Sequence, residues 1–197
     1  RLLRLRTFRV YVTGRVKTAG GVDVGSAARA SEALAVAGVD KSGSRRGITI
    51  RHRDGGVAPV DLDLFEILGR QDYNPPLTDG DVIVVPQAME WVQVTGAVGT
   101  QGKFELSGHD SLSTLVRLAG GLQPSAIPDH CLLVRFSSAS ERETAWVDVG
   151  AALAGPGDLK LRDGDNLFVP FRPEYHVLPS ASIYGEIERP GVYPLTL

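Results

Sequence analysis

A strand–turn–strand signature occurs three times in this chain, and any fold must accommodate all three copies. Val12-Thr13-Gly14 is followed six residues on by Gly20, Val94-Thr95-Gly96 by Gly102, and Ile183-Tyr184-Gly185 by Gly191. Alternating apolar residues flank each glycine pair, as in Phe8-Arg9-Val10-Tyr11-Val12, so each reads as a β-hairpin. Behind the first two hairpins the later signals repeat as well. Gly14 to Gly96 and Gly38 to Gly120 are both 82 positions apart, and Gly80 to Gly164 is 84. A register held at separate landmarks marks a duplicated unit carrying a two-residue insertion.

Within the first copy, Ala30, Leu34 and Ala37 share a helical face, with Ser26 as the expected cap and Gly38 as the left-handed terminator. Ile48-Thr49-Ile50 reads as a strand, Gly55-Gly56 as a tight turn into a strand over 57–60, and Leu62, Phe65 and Leu68 as a second short helix. Thr78-Asp79-Gly80-Asp81 turns into Val82-Ile83-Val84-Val85, closed by Pro86. The second copy runs in the same order. It has strands at Trp91-Val92-Gln93-Val94 and Phe104-Glu105-Leu106, and a helix face of Leu112, Leu115, Val116 and Leu118 ended by Gly120-Gly121. Further strands fall at Leu132-Leu133-Val134 and over 144–149, then a helical turn at Ala151-Ala152-Leu153. Arg162-Asp163-Gly164-Asp165 leads into Asn166-Leu167-Phe168-Val169 and Pro170. Only Gln87-Ala88-Met89-Glu90 links the copies, which predicts two bodies set close together with little swing.

The glycines predict local geometry. Pro190 presets a turn and Gly191 is expected to take the positive φ after it, with Gly20 and Gly102 in the same role. At Gly14, Gly96 and Gly185 a side chain is expected to obstruct the helix above the strand end.

Composition narrows the function. With 197 residues and 43% apolar content, the chain supports two small cores of roughly 80 residues each, a size that leans on neighbours. The net charge is −2, and Asp plus Glu against Lys plus Arg runs 11 to 10 over residues 8–90 and 9 to 6 over 91–170. That balance argues against nucleic acid as a partner. The single cysteine, Cys131, rules out an intrachain disulfide and leaves the compartment open. No apolar run reaches the ~18 residues of a membrane helix. The chain begins at Arg1 without Met and stops inside its third repeat, so it reads as a piece of a longer protein.

The pattern strand-Gly-x5-Gly, a helix ending in Ala-Gly, then Leu-x-Asp-Gly-Asp and an apolar strand closed by Val-Pro resembles the soluble-ligand-binding β-grasp (SLBB) domain. Gly14, Gly20, Ala37-Gly38 and residues 77–86 carry it in the first copy. Gly96, Gly102, Ala119-Gly120-Gly121 and residues 161–170 carry it in the second. Leu64-Phe65-Glu66-Ile67-Leu68 is similar to the SLBB repeats of polysaccharide export proteins in particular. The first copy departs from the pattern in lacking a proline before Gly20 and in having Val39 where a second glycine is common. The resemblance implies an α+β fold of tandem β-grasp domains, each a small mixed sheet packed on a helix, at 8–88 and 89–171. Residues 180–197 would be the first hairpin of a truncated third repeat, which lacks its helix and needs a neighbour to fold. It also implies a non-catalytic, periplasmic module of an outer-membrane-associated protein. Copies would form an oligomeric conduit for capsule or exopolysaccharide. Polysaccharide, further copies and an inner-membrane polysaccharide co-polymerase are the implied partners.

The residues supply no competing chemistry. Asp79/Asp81 and Asp163/Asp165 lack the other oxygen ligands of a calcium loop and read as turns. His52, His109, His130 and His176 show no helical i, i+4 pair, so no metal or cofactor site is assigned. Cys131 opens an apolar strand and reads as a buried, inert thiol. There is no nucleophile elbow or phosphate loop, and nothing singles out a carboxylate pair for a glycosidase. No catalytic residue is assigned, and the ligand-contacting residues stay open. Arg45, Arg46, Arg51, His52 and Arg53 form a basic cluster, read first as a solvated loop and edge strand and otherwise as a contact for an acidic glycan or a neighbouring subunit. Trp91 and Trp146 are expected in the cores, with sugar stacking as the alternative. The competing function is a module that binds an oligosaccharide or small molecule outside any channel, and a hydrolase ranks last.

Overall fold

The computed structural model describes residues 6–136, 141–173, 175, 180–186 and 188–195. Strand β1 (Thr7–Gly14) folds back antiparallel on β2 (Gly20–Gly25), with Val10 opposite Val22. Helix α1 (Ala30–Ala37) follows, then β3 (Ile48–Arg51), β4 (Val57–Val60), α2 (Leu62–Leu68), a 3-10 turn (Gln71–Tyr73) and β5 (Val82–Val85). Strand β5 inserts between β1 and β3, parallel to the first and antiparallel to the second, so the sheet order is β2-β1-β5-β3-β4. The series then repeats with β6 (Trp91–Gly96), β7 (Gly102–Glu105), α3 (Leu112–Leu118), β8 (Cys131–Phe136), β9 (Arg142–Val147), α4 (Val149–Ala154) and β10 (Asn166–Val169). Its order is β7-β6-β10-β8-β9, the same topology. The architecture is α+β, with two β-grasp sheets in tandem.

Each sheet buries one face. Val10 and Val12 of β1 are fully buried while Arg9 and Tyr11 alternate outward, as a period of two demands. Under α1 the contact is made by Ala30, Ala33, Leu34 and Ala37, and under α3 by the bulkier Leu112, Leu115, Val116 and Leu118. The two cores are separate clusters, one around Ile48, Ile50 and Ile83, the other around Leu133, Leu167 and Val94.

Several expectations need correction. Ser26 does not cap α1, because Ala28 N–H still closes a turn on the Gly25 carbonyl and the chain enters the helix only at Arg29. The first-turn donors are met instead by Glu32, which accepts from Arg29 N–H at 3.2 Å, and by Asn74 Oδ1, which accepts from Ser31 N–H at 2.9 Å. The last outer strand of the second sheet covers Arg142–Val147 and stops short of Val149. Asp148 accepts the Ala151 N–H at 2.7 Å and so draws Val149 into α4. Gly14 and Gly96 do hold positive φ, +92° and +93°. A side chain there would overlap the carbonyl of Val85 or Val169 on the adjacent parallel strand, not a helix. Among the described residues nothing lies within 4 Å of a side chain placed on Gly185. Gly20 and Gly102 take positive φ, but Gly191 opens an extended strand opposite Ile183.

That last strand, β12 (Gly191–Pro194), pairs antiparallel with β11 (Ser180–Ile183) as a two-stranded ribbon. Its Ile183 and Val192 are exposed.

Candidate functional site at the joint between the sheets

Both Asp-Gly-Asp turns do the same structural work. The first aspartate binds the backbone that opens the hairpin: Asp79 accepts from Arg9 N–H at 3.2 Å, and Asp163 from Trp91 N–H at 2.7 Å. The second is buried and closes its own turn, Asp81 on Thr78 N–H at 2.7 Å and Asp165 on Arg162 N–H at 2.8 Å. Each then takes a cationic or imidazole partner from the neighbouring strand segment, His52 Nδ1 at 3.0 Å from Asp81 and Arg135 Nη2 at 2.7 Å from Asp165. These carboxylates are consumed by the fold.

The basic cluster divides. Arg51 and Arg53 are exposed, but β3 lies between β4 and β5 and is not an edge. Arg46 is only 4% exposed and reaches from the first unit into the second. Its Nε donates to Asp61 Oδ2 at 3.0 Å, Nη1 donates to the Glu105 carbonyl at 2.8 Å, and Nη2 donates to Asp110 Oδ1 at 2.9 Å. Beside it, Glu105 accepts from the Ser44 hydroxyl and from Arg45 N–H at 2.9 Å. Burial alone would lower the Arg46 pKa, but hydrogen bonds to Asp110 and Asp61 hold it above its ordinary value. Burial pushes the Asp61 carboxyl up, and Arg46 offsets this in part. The linker is strapped to the same loop by Ala88 N–H on the Ser42 carbonyl at 2.9 Å. Sequence reasoning placed Arg46 in solvent because the acids that bury it are 15 and 64 residues away.

Three hollows flank this joint. One, of about 300 Å³, lies on the open face of the second sheet, with Gln93 and Asn166 in its lining and Trp91 and Phe136 beside them. The next, about 380 Å³, shares Trp91 and Lys103 with it and enters the joint, where Lys17, Lys41 and Phe104 join the lining. The third, about 390 Å³, also reaches Arg46 and is lined by Tyr73, His109 and Thr114. Trp91 and Trp146 are therefore not core residues; they are 41% and 63% exposed. Both lie on the face that no helix covers, and Trp146 stacks on His130 at a centroid distance of 4.2 Å.

The remaining candidates stay apart. His52 lies against Asp81, His109 lines the third hollow, and His176 falls outside the described residues. Among the described residues no group of three or more His, Cys, Asp or Glu side chains is placed to hold a metal ion. Cys131 is fully buried, and burial pushes its thiol up to about 11. No helix of the described residues is long and apolar enough to cross a membrane.

Residues 91–147 match the family model of the SLBB domain. The match covers β6 to β9 with α3 and lies within the second unit; SLBB domains occur in polysaccharide export proteins. No curated protein matches the chain.

Proposed function

We propose that residues 8–88 and 89–171 are tandem SLBB domains of a bacterial polysaccharide export protein, with 180–197 opening a third. In this reading they act without catalysis in the periplasm, as part of an oligomeric, outer-membrane-associated conduit. The observation that carries it is the SLBB match on one of two units with the same strand order and the same Asp-Gly-Asp chemistry. The buried joint supports a load-transmitting pair over two loosely tethered binders. Support for a non-catalytic role comes from the buried carboxylates Asp61, Asp81, Asp110 and Asp165, each already held by a backbone N–H. The partners are the polymer itself, further copies and an inner-membrane polysaccharide co-polymerase. Disrupting the gene in its source bacterium is expected to abolish surface polysaccharide while polymer synthesis continues inside the cell. Unchanged surface polysaccharide would overturn the proposal.

A second reading, a module that holds a soluble saccharide outside any channel, is favoured by the hollows beside Trp91. Mass measurement on the full-length parent in detergent separates the two: a monomer that saturates with ligand supports the second, a ring-sized oligomer the first.

A further inference from the structure

We propose that the two hollows meeting at Trp91 form one groove for an anionic saccharide strand, with the indole as stacking platform and Lys17, Lys41 and Lys103 as carboxylate contacts. The source of the ligand rests on the export reading above; the groove itself rests on the following geometry.

Trp91 and Lys103 line both hollows, so the open sheet face and the inter-unit cleft are continuous around them. The Trp91 ring is partly exposed, and among the described residues its indole N–H donates to no protein acceptor. A pyranose presents an apolar C–H face to such a ring and hydroxyls to its surroundings. Gln93 and Asn166 supply amides beside the ring, and Asn166 spends only its Nδ2 donor, on the Gly164 carbonyl at 3.0 Å.

Charge selects the class of saccharide. Lys17, Lys41 and Lys103 are exposed, and among the described residues none forms an ion pair. The acids around them are engaged. Asp63 pairs with Arg45, Glu105 is held by Ser44 and Arg45 N–H, and Asp40 accepts from Ser42. Asp163 is bound to Trp91 N–H. In the lining of the inter-unit hollow Lys17, Lys41, Arg45, Arg46 and Lys103 outnumber Asp40, Asp63 and Glu105, a positive balance on a chain whose net charge is −2. The sheet-face hollow sets Lys103 against Asp163 and Asp165, so the anionic groups of the saccharide belong at the inter-unit end, beside the lysines.

The groove needs both units. Lys17 and Lys41 come from the first and Trp91 and Lys103 from the second, set opposite one another by the Arg46 joint. The first sheet lacks the stacking ring. There the position equivalent to Trp91 is Arg9, which closes on Asp23 at 2.8 Å.

The test is titration of the whole chain by calorimetry and tryptophan fluorescence at two salt concentrations. The probes are hexagalacturonate and hexamannuronate, with cellohexaose and a short oligothymidylate as controls. Saturable binding of either uronate, weakened by salt and stronger than both controls, is expected. Trp91→Ala should weaken it about 10-fold, Trp91→Phe less, and the combined Lys17→Gln, Lys41→Gln, Lys103→Gln variant should remove both binding and salt dependence. The lysines are exposed, so that variant keeps the test valid even if Trp91→Ala unfolds. Several results would overturn the groove: no uronate binding up to about 1 mM, equal affinity in the lysine variant, or oligothymidylate or cellohexaose bound as tightly. Uronate binding together with normal surface polysaccharide after gene disruption would sink the export reading alone. Blocked export without uronate binding would sink the groove alone.

Discussion

Replacing Arg46 by alanine strands a set of buried acids at the seam between the two sheets. The guanidinium contacts Asp61, Asp110 and the Glu105 carbonyl, and all three acidic residues are at most 9% exposed. Removing one partner of a buried ion pair costs about 3–5 kcal/mol, because the remaining charge stays desolvated. Here Asp61 keeps the Leu64 N–H at 2.9 Å and Asp110 keeps the Ser107 N–H at 2.7 Å, so the lower part of that range applies, about 3–4 kcal/mol. For a chain of this size that lowers Tm by roughly 6–16 °C. The loss falls on the seam, so it should also uncouple the units. Both tryptophans, Trp91 and Trp146, lie in the second unit, whereas far-UV circular dichroism reports on both. In urea the two signals should coincide for the native sequence and separate for Arg46→Ala. Arg46→Lys keeps the charge but cannot reach two carboxylates and a carbonyl at once, so it should fall between them. If Arg46→Ala stays within about 1 kcal/mol of the native stability with coincident transitions, the idea of a structural joint is wrong.

Gly14→Ala and Gly96→Ala each force a side chain onto a strand carbonyl at positive φ and should cost about 3 kcal/mol or more. Gly20→Ala, with open space around it, should cost about 1 kcal/mol, and urea titration compares the three. Cys131 should react with an aromatic disulfide reagent at pH 8 at least ~100-fold more slowly in the native chain than in urea. Its folded pKa is raised, so its contribution to stability is complete below the ordinary value of 9.0 and is lost as pH rises through about 11; Cys131→Ala should remove that slope. Asp158 accepts from Ser113 N–H at 3.0 Å and from the hydroxyls of Ser111 and Ser113 at the start of α3. Burial works against the carboxylate, but these bonds prevail and hold its pKa below the usual value. Its contribution is therefore present above the unfolded carboxylate pKa and lost as pH falls through the folded one. Asp158→Asn should cost about 1 kcal/mol at pH 7 and flatten acid unfolding in that window.

Periodicity was enough to place most strands and helices and to reveal the repeat, because a hairpin, a helix face and an Asp-Gly-Asp turn are specified by residues within a few positions of one another; the mixed sheets were implied only by the resemblance to the SLBB domain. Even so, neighbours in the chain misled where a distant group competed. Ser26 lost the cap of α1 to Glu32 and Asn74, and Gly191 went into an extended strand pair. The trough at Trp91 was hidden because alternation says which residues share a face but not which face a helix covers. The expectation of buried tryptophans followed from ring size alone.

Local chemistry, then, determined the repeat, most strand-forming segments, the positive φ of Gly20 and Gly102, and the inert thiol. Tertiary structure alone decided that Arg46 is a buried tie, that Gly14 must clear the Val85 carbonyl, and that Lys17 and Lys41 stand across a cleft from Trp91. The division is physical. Backbone geometry and burial pattern are written at separations of two to four residues. Desolvated charge and cleft shape depend on groups that become neighbours only after two independently patterned sheets have closed on each other.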